Sequence, residues 1–272
     1  MLPPIPKQNS IPQQVLKVSL SQPVGAKGHR VLLYGPGGIG KTSLACQCPG
    51  PVAFCDLDES LDKLHGQLKR GGIKMPSVFP GTDWALVRAS LKSQGWDGIK
   101  TIVIDSVTKL EELAIAYTLQ TVKAPGDCKV DKIEDYGFGK GYQYAFDVFL
   151  SILADFDKHC RAGRNIVLIA HDCTHNVPNP AGQDFLRYEP RLQDPASGKG
   201  SIRLRVREWA DHMLFLNYDI AFSSKPEDKK KAKGSGTRTL YTAELPFCMA
   251  KCRTTQDQIP IDGSDVWAKI IQ

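Results

Sequence analysis

Long apolar runs are missing from this 272-residue chain. No stretch approaches the ~20 residues that a membrane-spanning helix requires, so we expect no membrane segment. Residues 1–29 carry prolines where a secretory signal would have an apolar stretch, and we expect them to form a flexible lead-in. The sequence therefore favours a cytoplasmic protein over a membrane-bound or secreted one.

Paired metal-binding cysteines are also missing. The chain has eight cysteines, but none forms the C-x-x-C pairs that are typical of zinc sites. Cys46, Cys55 and Cys248 lie in apolar runs, where cysteine packs as a small hydrophobic residue. We expect reduced thiols rather than disulfides or a metal centre.

The composition is that of a globular protein with a basic excess. Hydrophobic residues make up 42%, enough for one sizeable core, and residues 30–272 are expected to form a single domain. The net charge of +6 is concentrated in two stretches. Lys225–Arg238 has six Lys/Arg against two acids, and Cys173–Arg207 has six against three. Such stretches either keep a protein soluble or bind an anionic polymer.

Strand and helix patterns alternate along the chain. The strand patterns are HRVLLYG, PVAFCDLD, IKTIVIDS, NIVLIAH and HMLFLNY. This alternation predicts an α/β fold, with a central, mostly parallel sheet and helices on both faces. TLYTAEL and FCMAKCR are expected to form a C-terminal antiparallel strand pair. Residues 121–141, 173–200 and 223–237 are predicted as long loops, which in a compact domain are functional or mobile.

A glycine-dense turn connects the first strand to the following helix. Gly35–Thr42 fits the pattern G-x-x-x-x-G-K-[ST]. Glycines let successive backbone N–H groups turn inward around phosphate oxygens, and the helix N-terminus adds its positive end. Lys41 would reach the β- and γ-phosphates, and Thr42 would bind Mg²⁺. The predicted nucleotide-binding residues are Gly35, Pro36, Gly37, Gly38, Ile39, Gly40, Lys41, Thr42 and Ser43.

Acidic residues follow two other apolar strands. In TIVIDS, Asp105 ends the apolar strand, where its carboxylate can complete a Mg²⁺ site with Thr42. In VAFCDLDES three acids, Asp56, Asp58 and Glu59, follow the apolar strand, and one of them is expected to orient or deprotonate the attacking water. Each of the three could instead cap a helix. The pattern predicts ATP and Mg²⁺ as ligands and Mg²⁺-dependent ATP hydrolysis as the activity.

These motifs resemble the RecA-like branch of P-loop ATPases. The resemblance rests on VAFCDLDESLD, TIVIDSV and the order of the elements, and it covers about Val31 to Arg253. Within that branch the chain most resembles the compact phage-type (Sak-type) ATPases of single-strand annealing and recombination. The resemblance implies a RecA-like fold and DNA-stimulated ATP hydrolysis. It also implies single-stranded DNA binding in a bacterial or phage-infected host cell.

The resemblance also implies catalytic roles. Family members carry a glutamate two residues beyond the aspartate of an F-x-D strand end. Asp58 holds that place here with Glu59 beside it, so either residue can be the base. The family's γ-phosphate sensor ends the strand after the one that carries Asp105, where this chain offers His171 or Asp172. We favour His171, because imidazole can donate a hydrogen bond to phosphate whereas a carboxylate repels it.

Two of the long loops correspond to the DNA-binding loops of the family. In residues 121–141 aromatic side chains surround Lys140, and residues 173–200 supply further cations. Aromatic faces stack on bases and cations hold phosphates, although the aromatic residues could simply pack. The candidate nucleic-acid residues are Tyr136, Phe138, Lys140, Arg187, Arg191 and Lys199.

A basic pair near the end of the sequence completes the resemblance. RecA-like rings and filaments insert two basic residues, spaced by one, into the ATP site of the neighbouring subunit. Lys251 and Arg253 have this spacing. The implied assembly is a homo-oligomer, ring or filament, with ATP at its interfaces and a single-strand-binding protein as a further partner. The extra N-terminal region and large domains of filament-forming RecA have no counterpart here, so we expect a minimal annealing ATPase.

Two other functions are compatible with the motifs. One is a small-molecule phosphotransferase in which residues 173–207 form a lid, although the Lys-x-Arg pair argues against it. The other is a slow, nucleotide-gated clamp or loader that acts through protein partners. The response of ATP hydrolysis to single-stranded DNA separates the three functions.

Overall fold

The structure is a computed structural model that describes residues 27–124, 126, 130–196, 198–222, 232–263 and 265–271. Residues 1–26 of the expected lead-in and residues 223–231 of the expected basic loop lie outside the described residues. No helix within the described ranges is long and apolar enough to cross a membrane.

The described residues alternate between strands and helices, as the sequence predicts. The strands are β1 (Arg30–Gly35), β2 (Val52–Asp56), β3 (Ser77–Val78), β4 (Thr101–Asp105), β5 (Asn165–Val177), β6 (Phe185–Pro190), β7 (His212–Phe222), β8 (Ala232–Tyr241) and β9 (Ile259–Pro260). The α-helices are α1 (Lys41–Ala45), α2 (Leu61–Arg70), α3 (Trp84–Lys92), α4 (Val107–Thr121), α5 (Lys140–Arg161) and α6 (Ile202–Trp209). Short 3₁₀ helices occur at Ile133–Tyr136 and Trp267–Lys269.

The strands of the described chain form one sheet in the order β3-β2-β4-β5-β1-β7-β8-β9, with β6 paired to β5. From β3 to β7 the neighbours in this order are parallel. β8 runs antiparallel to β7, and β9 runs antiparallel to β8. The predicted fold class, including an antiparallel pair near the C-terminus, is confirmed.

The members of that pair differ from the expected ones. TLYTAEL begins inside β8, which pairs with β7 and β9. FCMAKCR forms only isolated bridges, one of which joins Cys248 to Leu245 of TLYTAEL. The reason is the path of FCMAKCR, which contacts first β6 and then β7. Met249 N donates to the Tyr188 carbonyl, and Lys251 exchanges two backbone hydrogen bonds with Met213.

All three predicted loops contain regular structure, and residues 232–237 of the third belong to β8. β5 continues to Val177 and β6 returns antiparallel to it, so residues 173–190 form a hairpin arm. Residues 133–136 form a 3₁₀ helix, and α5 begins at Lys140. α6 was missed, although Ile202, Val206 and Trp209 have helical spacing and are buried. Ser201 caps this helix by accepting a hydrogen bond from Leu204 N.

Helices cover both faces of the sheet. One face packs against α3, α4, α5 and α6, with buried contacts from Trp84, Phe149 and Ile202 among others. The other face packs against α1, α2 and the last described residues, with Leu44, Leu61 and Trp267 buried. The sheet is therefore covered on both sides, which explains the almost uninterrupted apolar runs in β1, β4 and β5.

The C-terminal 3₁₀ helix supports the helix that follows the glycine turn. The Trp267 ring is buried beside Leu44, and its Nε1 donates a hydrogen bond to the Leu44 carbonyl at 2.8 Å. α1 has only five residues, so little of its stability comes from helix propensity. Trp267 consequently holds the end of α1 against the sheet.

We expect Trp267→Ala to lower the free energy of unfolding by about 3–5 kcal/mol, because it empties a buried aromatic site. Trp267→Phe keeps most of the packing but loses the hydrogen bond, so its cost is about 1 kcal/mol. Urea unfolding of the nucleotide-free protein, followed by circular dichroism, measures both. Phe138→Ala, at a fully exposed ring, is the control. A cost below 1 kcal/mol for Trp267→Ala would contradict the support described for α1.

Candidate nucleotide site

Parallel strands bring the predicted site residues to one edge of the sheet. Gly35 at the end of β1 lies beside His171 of β5, and Asp56 at the end of β2 lies beside Asp105 of β4. Because these strands share one direction, their carboxyl ends meet where the glycine turn begins. Ligands of open α/β sheets bind at this edge.

The glycine turn wraps around the N-terminus of α1. Gly38 and Gly40 have positive φ angles of 73° and 102°, which L residues with side chains rarely adopt. Lys41 is buried, and its Nζ donates to the carbonyls of Gly35 and Pro36 at 2.7 and 2.8 Å. Burial lowers the pKa of Lys41, while Asp105 opposes that shift. The ammonium is thus held inside the turn where a phosphate chain would lie.

Asp105 forms a direct hydrogen bond with Thr42, the last residue of the P-loop motif. Thr42 Oγ1 donates to Asp105 Oδ2 at 2.6 Å, and Ser60 Oγ donates to the same oxygen at 3.3 Å. The residue is only 3% exposed, and burial raises the pKa of its carboxyl to about 6. A buried carboxylate with so little solvent is stabilised by a bound cation.

The three acids after β2 have separate environments. Asp56 accepts hydrogen bonds from the N–H groups of Ser60 and Leu61, so its carboxylate begins α2. Asp58 lines the cavity above Lys41, and His171 Nε2 lies 3.5 Å from its Oδ2. The hydrogen bond from His171 holds the pKa of Asp58 below its ordinary value. Glu59 is exposed with a φ of 51° and does not line this cavity.

These groups surround a cavity of about 360 Å³. Its lining includes the glycine turn, Lys41, Thr42, Asp58, Asp105 and His171. The donor set fits Mg²⁺, which takes one or two protein oxygens and completes its octahedron with water and phosphate oxygens. Thr42 and Asp105 supply a hydroxyl and a carboxylate in contact with each other. No cluster of three or more His, Cys, Asp or Glu suited to a metal occurs in the described ranges.

A sequence model of the AAA domain family matches residues 27–254, which contain the whole site. The chain belongs to the AAA domain family. The P-loop and the parallel strand order give this AAA domain the RecA-like P-loop fold that the sequence predicts, and with it a nucleotide-binding ATPase architecture. Similarity to phage annealing ATPases in particular finds no support, since no curated protein matches the sequence.

Two solved structures are similar to this AAA domain. One is a KaiC-like protein from the archaeon Pyrococcus horikoshii, with 14% identity, a TM-score of 0.39, and coverage of 86% of this chain and 85% of that chain. The other is a prototypical ATPase from the type III secretion system of pathogenic bacteria, with 14% identity and a TM-score of 0.41. That match covers 70% of this chain and 52% of the other.

The predicted nucleic-acid residues divide into exposed and enclosed side chains. Phe138 is fully exposed between Gly137 and Gly139 and has a φ of 50°, and Lys140, Arg191 and Lys199 are also exposed. Tyr136 is only 5% exposed, and its hydroxyl donates to the carbonyls of Thr118 and Val122. The prediction that Tyr136 offers a stacking face is therefore wrong for this conformation, because the ring packs inside the domain.

Arg187 also differs from its expected role. Its side chain is 14% exposed and pairs with Glu189 and Glu244. Arg203 pairs with the same Glu189 and with Asp194. These arginines neutralise carboxylates of the domain, so their charge is not available to an external phosphate chain.

Hydrogen bonds connect the nucleotide cavity to both predicted DNA-binding segments. Thr108 Oγ1 accepts from His171 N and donates to the Arg191 carbonyl, and Arg191 N donates to the His171 carbonyl at 2.8 Å. Gln193 Nε2 then donates to the carbonyls of Tyr142 and Gly200. His171 and the residues around Phe138 and Lys199 are thus joined through consecutive contacts.

Lys251 and Arg253 lie towards the amino-terminal ends of β1 and β7, whereas the glycine turn lies at the carboxyl end of β1. Lys251 pairs with Met213, near the beginning of β7, and Met213 lies beside Leu32 of β1. Arg253 is 70% exposed and has Asp211 at 3.3 Å. The glycine turn follows the opposite end of β1, so these cations are remote from the P-loop of their own chain.

Proposed function

We propose that this AAA domain is a Mg²⁺-dependent ATPase that binds single-stranded DNA and uses ATP hydrolysis to support strand annealing or recombination. The observation that carries the ATPase part is the enclosed contact between Thr42 and Asp105, with Lys41, Asp58 and His171 lining one cavity. These groups, which would bind the phosphates, hold Mg²⁺ and activate water, lie together at the carboxyl ends of the parallel strands.

Distinct residues carry the steps of hydrolysis. The backbone of the glycine turn and Lys41 bind the phosphates, while Thr42 and Asp105 would hold Mg²⁺, whose charge would offset that of the phosphates. Asp58 orients the attacking water and accepts its proton, a role that its ionised state permits. His171 lies beside Asp58 and is the candidate donor of a hydrogen bond to the γ-phosphate. Glu59 stays the alternative base, but its position outside the cavity favours Asp58.

Lys41→Ala should reduce turnover by at least about 10²–10³-fold and weaken ATP binding, because it removes the cation aimed at the phosphates. Asp105→Asn should keep part of the ATP binding but lose the dependence of turnover on Mg²⁺. Phosphate release over a magnesium titration measures both effects, with Lys69→Ala on the exposed side of α2 as the control. Turnover at the parent rate in Lys41→Ala would rule out hydrolysis at the P-loop.

The DNA-binding part of the proposal rests on Phe138, Lys140, Arg191 and Lys199. All four are exposed, and the segments that carry them meet at the hydrogen bond between Gln193 and Tyr142. A fully exposed phenylalanine offers both ring faces to bases, and the nearby cations suit phosphates. The pairing of Arg187 and Arg203 with carboxylates argues against an arginine-rich lid and hence against the phosphotransferase.

We expect Lys140→Gln, Arg191→Gln and Lys199→Gln each to weaken binding of single-stranded DNA and to lower the salt slope by about 0.7, the value for one phosphate contact. Phe138→Ala should weaken binding by about 1–3 kcal/mol without changing that slope, because stacking involves no counterion release. Fluorescence anisotropy with a labelled oligonucleotide at several salt concentrations separates the two effects.

Lys69→Gln, on the opposite face of the sheet, serves as the control in this series. Arg187→Gln is an informative comparison, since it should lower the free energy of unfolding but leave the salt slope of DNA binding unchanged. If the three lysine and arginine variants all kept the parent slope, the DNA-binding assignment of these segments would be wrong. ATPase activity unaffected by single-stranded DNA would favour the clamp or loader.

The proposal includes a homo-oligomer in which Lys251 and Arg253 enter the ATP site of an adjacent copy. Lys251 lies beside the beginning of β7, away from the carboxyl end of β1 where the glycine turn begins, and this supports a role outside the ATP site of their own chain. A cation supplied by a neighbour stabilises the charge that develops on the transferred phosphoryl group.

Arg253→Ala should retain ATP binding but lose about 10³–10⁵-fold in turnover if its guanidinium acts across the interface. Mixing Arg253→Ala with Lys41→Ala subunits should restore activity, since one variant keeps an intact P-loop and the other keeps the arginine. Native mass spectrometry establishes that mixed oligomers have formed. Mixed oligomers without recovered activity would show that Lys251 and Arg253 are surface cations.

A further inference from the structure

An arginine from the C-terminal part of the sheet contacts the P-loop backbone outside the nucleotide cavity. Arg238 of β8 is partly buried, and its Nη1 donates a hydrogen bond to the Ile39 carbonyl at 2.7 Å. The two residues are 199 positions apart. The sequence motif alone therefore gives no sign of the contact, and Arg238 does not line the cavity that holds Lys41 and Asp105.

The absence of a side chain at Gly40 leaves room for this guanidinium. A Cβ atom at Gly40 would collide with Arg238 Nη1. Gly40 also has a φ of 102° and begins α1 through the bond from Leu44 N to its carbonyl. The arginine thus occupies the space that an ordinary side chain would take immediately before Lys41.

The hydrogen bond acts on a peptide group that faces the nucleotide. The Ile39 carbonyl and the Gly40 N–H belong to one planar peptide and point in opposite directions. P-loop N–H groups point towards phosphate, so the carbonyl points away from it, where Arg238 lies. A charged donor on the carbonyl polarises the peptide and strengthens the hydrogen bond that its N–H makes on the other side.

Within the part of the chain that the structure describes, the Arg238 guanidinium forms no ion pair with a carboxylate, unlike the guanidinium groups of Arg187 and Arg203. A guanidinium has five N–H donors, of which the contact with Ile39 uses one. A partly buried positive charge behind the P-loop attracts polyphosphate with little screening by solvent.

We propose that Arg238 is a positioning residue of the nucleotide site. It fixes the Ile39–Gly40 peptide with its N–H towards the phosphates, and its charge adds to the positive potential of the turn. The ligand it serves is a nucleoside di- or triphosphate bound through its β-phosphate, so the proposal rests on the nucleotide binding proposed above. It gives the β7–β8 hairpin a direct role in that site.

The test is calorimetric titration with MgADP, which measures binding without turnover. Arg238→Gln should bind MgADP about ten-fold more weakly, as expected for the loss of one hydrogen bond from a charged donor. Arg238→Lys, which keeps the charge, should recover most of this loss. The control is Arg205→Gln, which removes an exposed arginine from α6 and should bind like the parent.

Thermal unfolding without nucleotide separates positioning from packing. Arg238→Gln should keep the unfolding temperature of the nucleotide-free parent while losing part of the additional stabilisation by MgADP. A parent-like affinity in Arg238→Gln, with binding lost in Lys41→Ala, would overturn the role of Arg238 but leave the nucleotide site in place. Failure of the parent itself to bind MgADP would instead refute the proposed function. A lower unfolding temperature with no recovery of affinity in Arg238→Lys would assign Arg238 to packing and overturn the proposal.

Discussion

A carboxylate buried at the end of a central strand is the constraint on which the nucleotide site depends. Asp105 lies where solvent is almost absent, so its charge has to be satisfied by the groups directly around it. Thr42 comes from the P-loop helix, and Ser60 comes from the turn before α2. Both approach because β1, β2 and β4 run in one direction and end at one edge. The helices that cover the two faces keep this edge in place.

Much of this architecture is visible in the sequence. The apolar runs of β1, β4 and β5 predict buried parallel strands, and the glycine turn predicts the phosphate-binding loop with Lys41 and Thr42. These features are local, since strand burial and turn geometry depend on neighbouring residues. The helix α6 had a readable signal in Ile202, Val206 and Trp209, but it is short and directly follows a proline- and glycine-rich stretch, which obscured it.

Side-chain roles that depend on distant partners were not predictable. Arg187 looks like a free cation in sequence, and only the fold brings Glu244 to it. Tyr136 looks like an exposed aromatic residue in sequence, but the fold places its hydroxyl where the carbonyls of Thr118 and Val122, at the end of α4, accept its hydrogen bonds. Asp56, Asp58 and Glu59 are near neighbours with similar chemistry. Whether a carboxylate caps α2, faces His171 or points to solvent depends on the turn that separates them.

The placement of Lys251 and Arg253 opposite the P-loop makes the domain polar, with a head and a tail that differ. If the basic pair completes the site of a neighbour as proposed, head-to-tail stacking completes one site at every interface, and the stack either closes into a ring or continues as a helix. In an open stack the subunit at one end would keep an uncompleted site, so catalytic capacity per subunit would increase with length.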